Sequence, residues 1–325
     1  MNRALRPLFA TTAIFMLAYL MAVAQFPAML STRVVGNLLT DNAFLGIAAV
    51  GMTFVILSGG IDLSVGAVIG FTTVLIAVLI MWVGMHPLAA FAVALIVAAA
   101  FGAAMGAAIH YLRVPSFIVT LAGMFLARGA ASVLSPDSIG IKHEFYSAVS
   151  KAYILLPGGG RLTTIAILML LVFAFGIVLA HRTRFGACVY AIGGSETSAA
   201  LMGVPVARTT IGIYTLSSTL AGLAGVVFSL YTSAGYSLNA LGMELDAIAA
   251  VVIGGTLLTG GYGLVAGTFI GVMLQGLVQT YIVFDGTLSS WWTKIVIGGL
   301  LFMFIVLQRL IFSTSARKRK TVGTP

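Results

Sequence analysis

Residues 56–70 read ILSGGIDLSVGAVIG: two apolar runs parted by Gly59 and Gly60, with a carboxylate, Asp62, just beyond them. A carboxylate at the centre of a hydrocarbon layer costs about 2.5–3.5 kcal/mol on insertion scales unless it is paired or wet. A glycine pair is also where a helix gives way most easily. The stretch is therefore expected to break its helix at Gly59–Gly60. Three roles stay open for Asp62: with Ser64 it can cap the following helix, it can line a polar path, or it can relay protons. A second stretch of the same design, LTGGYGLVAGTFIG at 258–271, aligns without a gap with LSGGIDLSVGAVIG at 57–70, and about half the positions match. It predicts a second break at Gly260–Gly261, and paired interrupted segments of this kind mark discontinuous helices packed around a polar route.

Working outward, the chain has 325 residues, of which 60% are hydrophobic and 8% charged, with a mean hydropathy of +1.13. Average soluble proteins carry roughly 25% charged residues, so the chain is read as an integral membrane protein. A span takes about 20 apolar residues to cross roughly 30 Å of hydrocarbon. Candidate spans lie near 8–28, 43–60, 64–84, 88–110, 115–134, 163–181, 208–233, 245–260, 264–284 and 290–311. Those flanking the two glycine breaks are short, so the expected fold is an all-α polytopic bundle of about eight to ten transmembrane helices. It forms a single transmembrane domain over 1–325, with broken helices and no room for a soluble domain.

Cations set the orientation. With both termini inside, Arg3, Arg6, Arg113, Arg182, Arg184, Arg208 and the basic tail over 313–325 are cytoplasmic, while Arg33, Lys142, Lys151 and Arg161 lie outside. This is the bias of an N-in, C-in membrane protein. The net charge of +9 then reads as topology and attraction to anionic lipid rather than nucleic-acid binding. The run after Arg6 is too long for a signal peptide and closes on Gln25, Phe26 and Pro27 without a small-residue cleavage site, so a retained first helix is expected.

Catalytic chemistry is not visible. There is no GxxxxGK[ST] phosphate loop, no HExxH and no CxxC pair. His86, His110, His143 and His181 sit at span ends or in a loop, the glycines at 158–160 open no strand-to-helix unit, and Cys188 is the only cysteine. The chain is thus expected to hold no metal and no catalytic residue. Any energy-using step belongs to another chain.

Polar residues inside the spans are the remaining signal. Asn42, Thr53, Ser58, Thr120, Ser217, Ser218, Gln275 and Gln279, with Asp62 and Ser64, could replace water around a polar solute, since an unpaired hydroxyl in an apolar duct costs a few kcal/mol. Each could equally bond a neighbouring backbone carbonyl. Trp291 and Trp292 fit an interfacial belt or a stacking platform. Gly102 with Gly106, Gly222 with Gly225, and Gly267 with Gly271 have the spacing of close helix packing, within one bundle or between two.

One polar interruption stands apart: RTRFGACVYAIGGSETSAALMGVPVAR at 182–208, on the inner side. Here Gly193 and Gly194 would end one element and Ser195 would cap the next. Ala199, Ala200, Leu201 and Met202 then supply a short helix whose apolar part suits a groove on a partner. An ordinary inter-span loop is the other reading.

Four blocks, TDNAFLGIAAVGMTFVILSGGIDLSVGAV (40–68), VPSFIVTLAGMFLARG (114–129), AHRTRFGACVYAIGGSETSAALMGV (180–204) and ELDAIAAVVIGGTLLTGGYG (244–263), resemble the permease subunits of bacterial ABC importers for ribose and other monosaccharides. LPGGGRL (156–162) and FDGTLSSWWTKIVIG (284–298) look, more narrowly, like a permease of galactofuranose importers. The resemblance implies a pore made by two permeases in the bacterial inner membrane, with a heterodimer favoured for the galactofuranose type. It also implies cytoplasmic ATPase subunits that hold ATP and Mg, no cofactor in this chain, and a periplasmic binding protein that delivers the sugar. It maps the ATPase-coupling segment onto Gly193, Gly194, Ser195, Glu196, Ala199, Ala200, Leu201, Met202 and Gly203. It makes the outer segment 235–247, with Glu244 and Asp246, and the loop 135–161 the landing surface for the binding protein. Ala67 stands where many relatives have Ser, and Tyr262 where others carry a basic residue. The alternative, a secondary sugar transporter driven by an ion gradient, would need ionisable groups at midplane, for which Asp62 and Asp246 are the material.

Overall fold

The computed structural model describes residues 6–289 and 291–320, and the side chains of 8–289 and 291–306. The chain is an all-α polytopic membrane protein. Its helices are α1 (Arg6–Gln25), α2 (Thr32–Asp41), α3 (Ala43–Leu57), α4 (Val65–Met81), α5 (Pro87–Tyr111), α6 (Ser116–Leu134), α7 (Glu144–Lys151), α8 (Thr164–Arg182), α9 (Arg184–Gly194), α10 (Glu196–Leu201), α11 (Val206–Thr232), α12 (Met243–Ile253), α13 (Val265–Asp285) and α14 (Trp291–Lys320). Side chains of the basic tail expected over 313–325 lie outside the described residues.

Every expected span coincides with a helix. Among the described residues six helices are long and apolar enough to cross a bilayer by themselves, or seven when α2 and α3, bent by 54°, count as one. The short ones border the breaks. At 11 residues, α12 reaches only roughly 16 Å at 1.5 Å per residue, so its chain must continue across the membrane in non-helical form. That is tolerated where the backbone is buried in protein.

Burial places those helices at the centre. Every residue of α3 except Phe44 is buried, as expected of a helix that is apolar on all sides. The main core cluster joins α3 to parts of α4, α8, α11, α12 and α13. The outer helices keep apolar side chains exposed, among them Leu20, Ile96, Phe125 and Leu126, which face lipid in a membrane.

The glycine pairs with helix-packing spacing serve this one bundle. A β-carbon at Gly102 or Gly106 of α5 would meet the α11 backbone, one at Gly222 or Gly225 of α11 would meet α5 or α4, and one at Gly267 or Gly271 of α13 would meet Gly254, just past α12, or Ala250 of α12. Close approach of backbones supplies the contact that a hydrophobic effect cannot supply in lipid.

Helix starts follow local chemistry. Thr163 accepts from Ala166 N and Thr183 from Gly186 N, and Pro87 opens α5, where its missing N–H costs nothing. Outside the helices, β1 (Ile139–Gly140) pairs antiparallel with β4 (Ala234–Gly235), and β2 (Tyr153–Leu155) pairs antiparallel with β3 (Arg161–Thr163). The β2–β3 hairpin carries the LPGGGRL turn. It rests on the start of α2, where Thr32 donates to Pro157 O at 2.7 Å, and Arg161 lies 4.6 Å from the Tyr153 ring centroid.

Gly102→Val would drive a branched side chain into the Tyr214 carbonyl and the Ser218 side chain. It is expected to lower the melting temperature of the detergent-solubilised protein by about 5 °C or more. Gly129→Ala adds a methyl group where nothing lies within 4 Å and is expected to hold or raise it, because alanine favours a helix over glycine by about 1 kcal/mol. Differential scanning fluorimetry reads both; equal melting temperatures for the two variants would contradict this packing.

Candidate functional site

The first break runs from Ser58 to Ser64, with Gly59 at φ +84°. Asp62 sits inside it with no exposure. Its Oδ1 accepts from Ser64 N at 2.9 Å and from Ser64 Oγ at 2.6 Å, and its Oδ2 accepts from Ser217 Oγ of α11 at 2.8 Å. The expected cap is thus corrected. Ser64 occupies the N-cap position of α4 but makes no side-chain cap bond, because its hydroxyl is drawn to the buried carboxylate, which needs donors more than the helix end needs an acceptor. Neighbouring hydroxyls hold the rest of the loop. Ser116 Oγ accepts from Ile61 N at 3.2 Å, and Thr120 Oγ1 accepts from Leu63 N at 3.1 Å.

The second break, Gly254–Leu264, folds mainly on itself. Leu257 N donates to Tyr262 O at 2.9 Å and Gly260 N to Leu257 O at 3.0 Å. Gly260 and Gly261 have φ of +81° and +72°, a region that favours glycine. The second break is tied to the end of α3, beside the first, where Gly261 N donates to Leu57 O at 2.8 Å.

The inner helix α9 meets both breaks at that bond. A β-carbon at Gly193 would collide with the Leu57 carbonyl and the Gly261 amide. One at Gly260 would lie 2.9 Å from Gly59 Cα and 3.1 Å from Gly193 Cα, and one at Gly261 would lie 3.0 Å from Gly194 Cα. Three glycine pairs from distant parts of the chain therefore touch backbone to backbone. Tyr190 adds a tie, its hydroxyl donating to Gly263 O at 2.7 Å. Burial raises that phenol to about 12, so it keeps its proton at any ordinary pH.

Past Gly194, Ser195 caps α10 by accepting from Ser198 N at 3.2 Å. Ala199 is fully buried, whereas Leu201 is 86% and Met202 74% exposed. The chain then turns at Gly203, φ +81°. Two large apolar side chains are thus presented outward from a short helix anchored beneath the breaks. Beside it a cavity of about 680 Å³ opens against the first break, lined among others by Ser58, Gly60, His110, Arg113, Ser116, Glu196 and Tyr214.

The structure brings some of the sequence-derived polar candidates together and leaves others apart. Asp62, Ser64 and Ser217 form one cluster, with Thr120 next to it and Ser58 at the cavity. Asn42 donates to Leu38 O, Thr53 to Ala49 O and Ser58 to Val55 O. Thr53 also meets Thr268 at 2.8 Å. Gln275 donates to Asp246 O, Gln279 is exposed, and Ser218 Oγ is buried without a partner. Trp291 is exposed, and Trp292 lines a groove between α1, α13 and α14. Among the described residues no group of three or more His, Cys, Asp or Glu side chains is placed to hold a metal ion.

On the other side Glu244 is buried at the start of α12, and Asp246 is paired with Lys294 at 2.6 Å. Neither stands free as an exposed acidic group, so a docking partner would have to reach them through these contacts. Arg128 of α6, which the sequence reading passed over, donates to the carbonyls of Ser237 and Asn239 and clasps the outer 235–242 segment. A cation within an otherwise apolar run is the signal that would have marked it.

Half-spans broken around one another lie above an exposed inner helix, an arrangement that suits a membrane permease. The model of the family described as branched-chain amino acid transport system / permease component matches residues 34–305, and the chain belongs to that family. It is 61% identical to the inner membrane ABC transporter permease protein YjfF of Escherichia coli K12, over 93% of this chain and 92% of that one. It is 38% identical to the fructose import permease protein FruG of Bifidobacterium longum, over 98% and 95%. With the ribose import permease protein RbsC of Bacillus subtilis it shares 36% identity over 91% and 90%. No solved structure matches the chain. As a permease component the chain is a transport subunit, not an enzyme.

Asp62→Ala would strand two hydroxyls and an amide in the core. It is expected to cost about 3 kcal/mol or more of stability, while Ser217→Ala, which removes one donor and leaves two, costs about 1–2 kcal/mol. Thermal unfolding in detergent checks the order; a Ser217→Ala protein less stable than Asp62→Ala would refute it.

Proposed function

We propose that the chain is the permease subunit of an ATP-binding-cassette importer of monosaccharides in the bacterial inner membrane, with galactofuranose as its sugar. The observation that carries the reading is the α9–α10 unit. Its exposed Leu201 and Met202 offer a separate ATPase an apolar grip, and Gly193 at the junction of its two helices bears on both helix breaks. The relatives named as ABC, fructose and ribose permeases support the class.

In this reading Gly193, Gly194, Ser195, Glu196, Ala199, Ala200, Leu201, Met202 and Gly203 couple the permease to cytoplasmic ATPase subunits, which hold the ATP and Mg. A second, different permease completes the pore, and a periplasmic binding protein delivers the sugar. ATP binding shifts the permease between inward-open and outward-open states through differential affinity for the two. The hydroxyls of Ser58, Ser116 and Tyr214 at the inner cavity offer the departing sugar replacements for water, weak enough to let it go. Asp62, Ser64, Thr120 and Ser217 hold the break next to that exit. The galactofuranose assignment rests on the resemblance of the LPGGGRL hairpin and the FDGTLSSWWTKIVIG segment to a permease of that importer type.

The test is uptake by proteoliposomes holding this chain, its second permease and its ATPase, with the binding protein outside. Radiolabelled galactofuranose should accumulate with ATP inside and should not accumulate without it. Accumulation on a proton or sodium gradient alone would overturn the importer reading. Preference for galactopyranose or ribose over galactofuranose would overturn the sugar assignment only.

A further inference from the structure

We infer that the last turn of α9, next to α10, is a rigid strut and that Gly193 and Tyr190 are its positioning residues: they carry displacement of the inner coupling helix to both helix breaks at a single point. The inference rests on the importer reading and deepens it by naming how a push on α10 reaches the transmembrane helices.

The geometry is unusual in using backbone on both sides. A β-carbon at Gly193 would overlap the Leu57 carbonyl oxygen, and that same oxygen accepts the bond from Gly261 N that ties the second break to the first. Moving Gly193 therefore moves the last residue of α3 and the turn leading into α13 together. Long side chains in such a contact could absorb a small shift by changing rotamer, whereas packed backbone transmits it. Tyr190 gives the strut a pull as well as a push, because its hydroxyl bond to Gly263 O holds the second break when α9 retreats. Val189 and Ile192, both buried, keep α9 from sliding past its seat. At this same end α9 is joined to α10 through Ser195 alone, so little compliance lies between the proposed ATPase grip and the breaks.

The experiment measures ATP hydrolysed per sugar imported, with the assembled complex in proteoliposomes. Gly193→Ala is expected to assemble with its partners and hydrolyse ATP, while ATP consumed per sugar rises about ten-fold, the scale of a typical coupling between sites. Gly194→Ala, whose β-carbon meets nothing within 4 Å, should raise that ratio less. Tyr190→Phe, which removes one oxygen and keeps the ring, should raise it about three-fold, the scale of one hydrogen bond; this variant decides the matter if Gly193→Ala does not fold. An unchanged ratio in Tyr190→Phe, or equal ratios for the Gly193 and Gly194 variants, would overturn the strut. A wild-type complex without ATP-linked uptake would instead sink the importer reading itself, before any variant is compared.

Discussion

A peptide group released from a helix inside hydrocarbon finds no water, and each one left unpaired costs several kcal/mol. Two such interruptions, Ser58–Ser64 and Gly254–Leu264, lie at the centre of this bundle, and satisfying them dictates much of what surrounds them. The first borrows its partners. Its amides at Ile61 and Leu63 are taken by Ser116 and Thr120 of α6, and its carboxylate at Asp62 takes the amide and hydroxyl of Ser64 and the hydroxyl of Ser217. The second spends its own chain, closing a turn between Leu257 and Tyr262. The residue aligned with Asp62 in the second break is Gly263, so the same design is met once with a buried acid and once with a tight turn.

The bond from Gly261 to Leu57 makes the two solutions one. It forces α3 and the α12–α13 pair to approach to backbone distance, which only glycines at the contact permit. That approach leaves α3 at the centre with nearly every residue buried. It also makes a seat that α9 fills with a third glycine pair. Packing of the half-spans and seating of the inner helix are thus consequences of one requirement, that broken backbone be covered by protein.

Spans, breaks and the capped inner helix were legible from the sequence because each leaves a local mark: an apolar run, a glycine pair, a serine after glycine. What the local pattern could not supply is which faces meet. In a soluble helix the polar side declares the outside, but here lipid-facing and core-facing positions are equally apolar, so periodicity carries little. Ser217 reaches Asp62 across 155 residues of chain, Lys294 reaches Asp246 across 48, and the role of Tyr190 depends on a carbonyl 73 residues away. The path candidates show the same limit. Hydroxyls at Thr53 and Ser58 read alike in sequence, yet one is locked between α3 and α13 while the other faces the inner cavity. The helix α7 and the two small sheets lie in segments without an apolar run to announce them.

Asp62 bears on where the driving force enters. A group that captures and releases an ion during transport must exchange its partners with the ion in each cycle, whereas this carboxylate holds three donors from the break and from α11, and their loss would open the fold at its centre. Asp246, the other acid named from the sequence for such work, is held by Lys294 on a different helix, away from that cluster. Both are engaged as fasteners between elements of the bundle. In the importer reading proposed above mechanical work is delivered from outside, and α9 with its exposed neighbour α10 is where the bundle meets both the inner solvent and its own two breaks.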